Sequence, residues 1–200
     1  MNMKKIILGV LVVGLCLFNV SCDEGNVLTT IDPDVQLEED LEAISAYIDL
    51  KGYTNIDTTA SGAFYTIIDE GNGAAIELND IVSFHFILRS AEDDLSYQTS
   101  ILEFAEDEDI FGSGRIYEPE VCTFTNGPWF VSSLTRVFST PFAEPGYKEG
   151  VIACFGKMKV GGRAIILIPS SISFGSAAIT AWGYPANTPA AIEIRPVYKR

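Results

Sequence analysis

The chain predicts an α+β domain, and three stretches carry that expectation. Phe64-Tyr-Thr-Ile-Ile-Asp69 is rich in β-branched and aromatic residues and reads as a strand. Asp80 to Leu88 alternates, so Val82, Phe84, Phe86 and Leu88 share one face of a second strand. From Gly150 onward the pattern is a short apolar helix over Val151 to Met158, a turn at Gly161 and a buried strand ending at Pro169. A loop and a closing strand, Ala191 to Ile194, follow.

Met1 to Lys5 is basic and Ile6 to Val20 is almost wholly apolar. That run is too short and too early to span a membrane as a helix, so residues 1–21 read as an export signal. Ser21-Cys22 follows directly, which resembles a bacterial lipoprotein cleavage site. Cys22 would then be the lipidated first residue, and an ordinary cleaved signal is the alternative. The expected location is the cell envelope, on a bacterial membrane facing the periplasm or the cell surface.

Residues 22–31 are small and polar, and read as a tether. Residues 32–52 read as a helix. Asp32 suits its cap, Pro33 its first turn and Gly52 its stop. Leu37, Leu41, Ile44 and Ile48 recur at helical spacing, an apolar face for its own domain or for a twin chain.

The chain carries a net charge of −14, from 27 acidic and 13 basic residues. Losing the signal removes Lys4 and Lys5 and no acid. Such a surface repels nucleic acid and anionic headgroups, so membrane contact is expected through lipid and no nucleic-acid partner is expected. Beyond the signal and Cys22, only Cys122 and Cys154 remain. An exported compartment permits a disulfide between them, and buried free thiols are equally compatible. Their spacing suits no metal.

Most catalytic chemistry lacks its residues. His85 is the one histidine, on a strand between Phe84 and Phe86, pointing away from their face as an exposed side chain. No nucleophile motif accompanies it. Gly71-Asn-Gly73 and Gly112-Ser-Gly114 lack the remainder of a phosphate loop. The acidic run 106–109 lacks calcium-loop spacing. No cofactor or metal is expected.

The C-terminal pattern, Met158-Lys-Val-Gly161, a strand ending at Pro169, Phe174-Gly175, Pro185-Ala-Asn187 and a last strand, resembles FKBP-type peptidyl-prolyl isomerases. The opening strands and Tyr97-Gln98-Thr99-Ser100 resemble the same family. The resemblance covers about residues 62–100 and 146–197 of a domain spanning 62–200. It implies an antiparallel sheet of about five strands curled around the helix. It also implies a pocket made by Phe86, Tyr97, Gln98, Val151, Phe174 and Ile192. Phe86 and Phe174 stand for tyrosines, Gln98 for an aspartate, Val151 for a tryptophan floor and Ile192 for a phenylalanine. Tyr147 and Lys148 fall on the rim.

Residues 101–145 depart from the family pattern. This insertion either extends a binding surface or fills the pocket.

The implied activity needs no titratable group. The amide barrier of roughly 18–20 kcal/mol comes from resonance. An apolar aromatic pocket favours the twisted amide over the planar one. The resemblance therefore implies a lipid-anchored isomerase of weakened activity, acting on proline-containing chains and assisting their folding. A non-catalytic module binding a peptide or an envelope protein is the second expectation, and a structural lipoprotein with a closed groove is the third.

Overall fold

A computed structural model of the protein describes residues 32–125, 145–176 and 178–200. Its first element is helix α1, Pro33–Lys51. Asp32 caps it by accepting from the Asp34 N–H at 3.0 Å, and Gly52 ends it at φ 66°. Both ends match their sequence signals.

The strands are β1 (Asp57–Thr58), β2 (Phe64–Asp69), β3 (Ile81–Ser90), β4 (Ser96–Thr99), β5 (Glu120–Thr123), β6 (Arg163–Ile168) and β7 (Ala190–Lys199). They form one antiparallel sheet in the order β1-β2-β6-β7-β3-β4. β5 pairs with the first half of β3, while β4 pairs with its second half. The sheet thus has seven strands where about five were expected. β1 is only two residues long, and β5 lies inside the stretch read as an insertion. Helix α2, Leu102–Asp107, also lies there.

Helix α3 spans Pro145–Phe155, so it starts earlier and stops sooner than Val151–Met158. Proline fits a helix start. Gly146 and Gly150, one turn apart, let the helix approach β6. A Cβ at Gly146 would stand 2.6 Å from Ile168 Cγ2, and one at Gly150 would stand 2.4 Å from Ile166 Cγ2. Met158 follows in the turn after the helix and is still buried.

The alternation in β3 places Val82, Phe84, Phe86 and Leu88 on the inner face, against α3. Phe155 joins them edge-on to Phe84, with ring centroids 5.5 Å apart. α1 covers the other face of the sheet, where Ile44 and Tyr47 pack on Ile165, Leu167 and Ala191. Its buried stripe is Asp40, Ile44 and Tyr47, with Ile48 packed beside them; of the apolar face, Leu37 and Leu41 are exposed and do not pack on the domain. Polar anchors fix the helix. Tyr47 Oη donates to Asp94 at 3.0 Å, and Lys51 forms an ion pair with the same carboxylate.

Cys122 and Cys154 are both free thiols in the inner core, so the disulfide is not formed. Burial pushes both thiols well above their ordinary range. His85 points away from the inner face, but it is half-buried where exposure was expected. Its Nδ1 lies 3.0 Å from Ser100 Oγ.

Candidate functional site

The expected site residues come from β3, β4, β7, helix α3 and the loop after β6. Phe86 is on β3 and Ile192 on β7, paired in neighbouring registers (Phe86↔Ile194, Leu88↔Ile192), so both face inward. Tyr97 is the extra residue of a bulge in β4, between Gln98↔Leu88 and Ser96↔Arg89. A bulge re-aims a side chain, and here it brings Tyr97 onto the inner cluster. Phe174 follows the short 3-10 turn Ser170–Ile172 and packs on the same cluster.

Two side chains that sequence reasoning passed over complete the row. Residues 179–184 close a tight turn: Ile179 N–H donates to the Tyr184 carbonyl at 2.9 Å, and Tyr184 N–H donates to the Ile179 carbonyl at 3.2 Å. Gly183, at φ 71°, supplies the left-handed residue this turn requires. The turn sets Tyr184 between Tyr97 and Phe174, with ring centroids at 4.9 Å and 4.7 Å, both edge-on. Trp182 stands edge-on to Phe174 at 6.3 Å. Tyr184 has no exposed surface, and its hydroxyl faces the carbonyls of Pro189 at 3.2 Å and Thr188 at 3.4 Å. Tyr97, Phe174 and Trp182 are half-exposed, so the row presents aromatic surface on either side of a filled centre. The Tyr-Pro pair at 184–185 was the one sequence signal for this residue.

Val151, placed by resemblance at the pocket floor, is fully buried in the core beneath the row. Tyr147, placed at the rim, is buried in the same cluster, one helical turn earlier. Lys148 beside it is half-buried. Gln98 is buried, and its Oε1 accepts from Arg115 Nη1 at 3.0 Å. Arg115 lies in the insertion and was not anticipated. Cys22 lies outside the described residues, as do residues 126–144 of the insertion with Trp129, Phe130, Phe138 and Phe142.

Burial raises the phenols of Tyr97, Tyr147 and Tyr184, so each stays neutral. Among the described residues no group of three His, Cys, Asp or Glu side chains could hold a metal. No helix of these residues is long and apolar enough to cross a membrane. A cleft of about 390 Å³ lies at the far edge of the sheet, lined by Asn55, Asp57, Tyr65, Glu70 and Lys157 among others. It contains none of the expected site residues. The aromatic row can hold an apolar ring and neutral amides; it carries no nucleophile and no proton shuttle.

No protein-family model and no curated protein matches the chain. Solved structures do. One is a peptidyl-prolyl cis-trans isomerase from Pseudomonas syringae pv. tomato, 18% identical over 86% of this chain and 98% of that one, with a TM-score of 0.48. A second is FkpA from Escherichia coli, 16% identical over 100% of this chain and 83% of that one, TM-score 0.48. A third is the N-terminal domain of FKBP42 from Arabidopsis thaliana, 12% identical over 74% and 94%, TM-score 0.47.

Proposed function

We propose that the chain is an FKBP-type peptidyl-prolyl cis-trans isomerase of weakened activity. It is anchored by lipid on Cys22 in the bacterial cell envelope and acts on proline-containing segments of exported proteins during folding. The observation that carries this reading is the aromatic row Tyr97–Tyr184–Phe174–Trp182, in one core cluster with Phe86 and Ile192 of an antiparallel sheet. An apolar aromatic surface with neutral hydrogen-bonding groups is what a twisted prolyl amide prefers over its planar ground state. The weakening follows from three features. Tyr184 fills the centre of the row, Gln98 is engaged by Arg115, and Phe174 has no hydroxyl for a substrate carbonyl.

The burial of Tyr184 favours a second reading, a site that binds proline segments without turning them over. An isomerisation assay on a short proline peptide, run with a binding titration, separates the two. Slow catalysis that is lost in Tyr97→Ala and Phe174→Ala supports the enzyme. Binding with no rate above the uncatalysed one leaves the binding module.

A further inference from the structure

Arg115 stands where the insertion meets the aromatic row. Its Nη1 donates to Gln98 Oε1 and to the Ile110 carbonyl, each at 3.0 Å, with the Tyr97 carbonyl at 3.4 Å. Nη2 reaches the Ala181 carbonyl, beside Trp182, at 3.5 Å. The guanidinium therefore bridges the strand that carries Tyr97 and the loop that carries Trp182.

Its position is held from behind. The stem lies against Gly112, where a Cβ would come within 3.1 Å of Arg115 Cδ and Nε. Gly112 N–H donates to Tyr117 Oη at 2.8 Å, and Arg115 N–H donates to the Gly112 carbonyl at 2.9 Å. Phe111 and Tyr117 stack with centroids 5.6 Å apart.

Every acceptor on this guanidinium is neutral. Among the described residues no carboxylate forms an ion pair with it, whereas Arg89 and Arg195 both lie on Glu193. Arginine offers five N–H donors. Here two hydrogens on Nη1 face three acceptors, Nη2 has one long contact, and Nε has none. In a chain with 27 acidic residues and a net charge of −14, a half-buried arginine left without an acid is informative. The surrounding field opposes anions in general, so attraction of one anion here is a local property of this residue.

We propose that Arg115 is the specificity-determining residue of the site and takes the carboxylate of an acidic residue adjacent to the bound proline. This deepens the proline-segment reading above and rests on it. The planar fork matches a carboxylate, and the long contacts to Ala181 and Tyr97 are the ones it would displace. Partial burial limits screening by salt.

The test uses the full chain and four short peptides identical except at one dipeptide: Glu-Pro, Gln-Pro, Lys-Pro and Glu-Ala. Each is titrated against wild type, Arg115→Gln and Arg115→Lys by calorimetry. Wild type is expected to bind Glu-Pro about tenfold tighter than Gln-Pro, the size of a hydrogen bond to a charged group, and Lys-Pro weakest. Arg115→Gln should bind Glu-Pro and Gln-Pro alike, and Arg115→Lys should keep part of the preference. Equal binding of Glu-Pro and Gln-Pro by wild type overturns the proposal and leaves the proline reading standing. A preference that survives in Arg115→Gln also overturns it and makes Arg115 a clamp alone. Glu-Ala bound as tightly as Glu-Pro, with dependence on Arg115, keeps the carboxylate site and overturns the proline reading. No binding of any peptide overturns both.

Discussion

The Asp40 carboxylate accepts a hydrogen bond from the backbone N–H of Ser170 at 2.6 Å, and both residues are buried. They lie 130 residues apart in the chain. Gln36 adds to the link, donating to Asp40 at 2.9 Å and to the Asn187 carbonyl at 3.0 Å. Helix α1 therefore fixes both ends of the loop that carries Phe174 and Tyr184. Asp40→Ala leaves the Ser170 N–H buried without its acceptor. It should lower unfolding stability by about 1–3 kcal/mol. Urea unfolding measures this, and a midpoint equal to wild type would mean that α1 is loosely attached.

Val151 has no exposed surface, which changes what restoring an indole there would do. Val151→Trp should overpack the core and cost about 1–3 kcal/mol or more, with no gain in isomerisation rate. Phe174 is half-exposed, so Phe174→Tyr has room for its hydroxyl. One added hydrogen bond to a substrate carbonyl is worth roughly 0.5–1.5 kcal/mol, up to about tenfold in rate if felt in the transition state. Melting temperature and rate on a proline peptide, measured for each variant alone, decide the matter. A faster Val151→Trp enzyme of unchanged stability would show that this position opens to the pocket after all.

His85 is expected to make the fold sensitive to mild acid. Burial lowers its pKa below the ordinary 6.5 and outweighs the upward pull of the Ser100 hydrogen bond, with the Arg195 charge lowering it a little further. The unfolded chain therefore binds the proton more readily than the folded one. This contribution to stability is fully present above about pH 6.5 and is lost as the pH falls below it. Denaturation midpoints taken from about pH 7 to about pH 5 should fall more steeply for wild type than for His85→Gln. Parallel curves would show that His85 titrates alike in both states.

Cys22→Ala should release the protein from membranes, if lipid is its anchor. A net charge of −14 gives the surface no electrostatic hold on anionic headgroups. A single acyl chain holds only marginally, so the native anchor should carry more than one. Sedimentation with membranes after expression in a bacterial host measures the outcome. A variant that still pellets like wild type would leave Cys22 without that role.

Much of the fold was legible because its signals are local. The alternation of β3 and the Asp32 and Gly52 caps depend on neighbours two to four residues away, and they stand where the pattern put them. Only half of the apolar face of α1 packs on the domain: periodicity marks Leu37 and Leu41 as well as Ile44 and Ile48, while the helix is held by Asp40, whose partner is remote in sequence. The start of α3 was missed because Gly146 and Gly150 look like helix breakers; their value lies in contact with Ile168 and Ile166. At the site, Phe86 was legible as an inward residue from the alternation of β3, while Tyr97, Phe174 and Ile192 were named only through the family resemblance. Tyr184 and Arg115 were not legible, since each acts through a loop whose path depends on turns and on distant carbonyls.

The chain leaves the edge of β3 at Ser100, whose N–H donates to the Phe86 carbonyl at 3.2 Å, and rejoins that edge at Glu120 opposite Phe84. Only His85 separates the two attachment points on the partner strand. Residues 101–119 thus behave as a cassette plugged into one side of a fixed frame. Closing a longer loop between the same ends costs only about 0.6 kcal/mol for each doubling of its length. Both ends of the segment that carries Arg115 and its bracing turn are thus set by two neighbouring positions of β3.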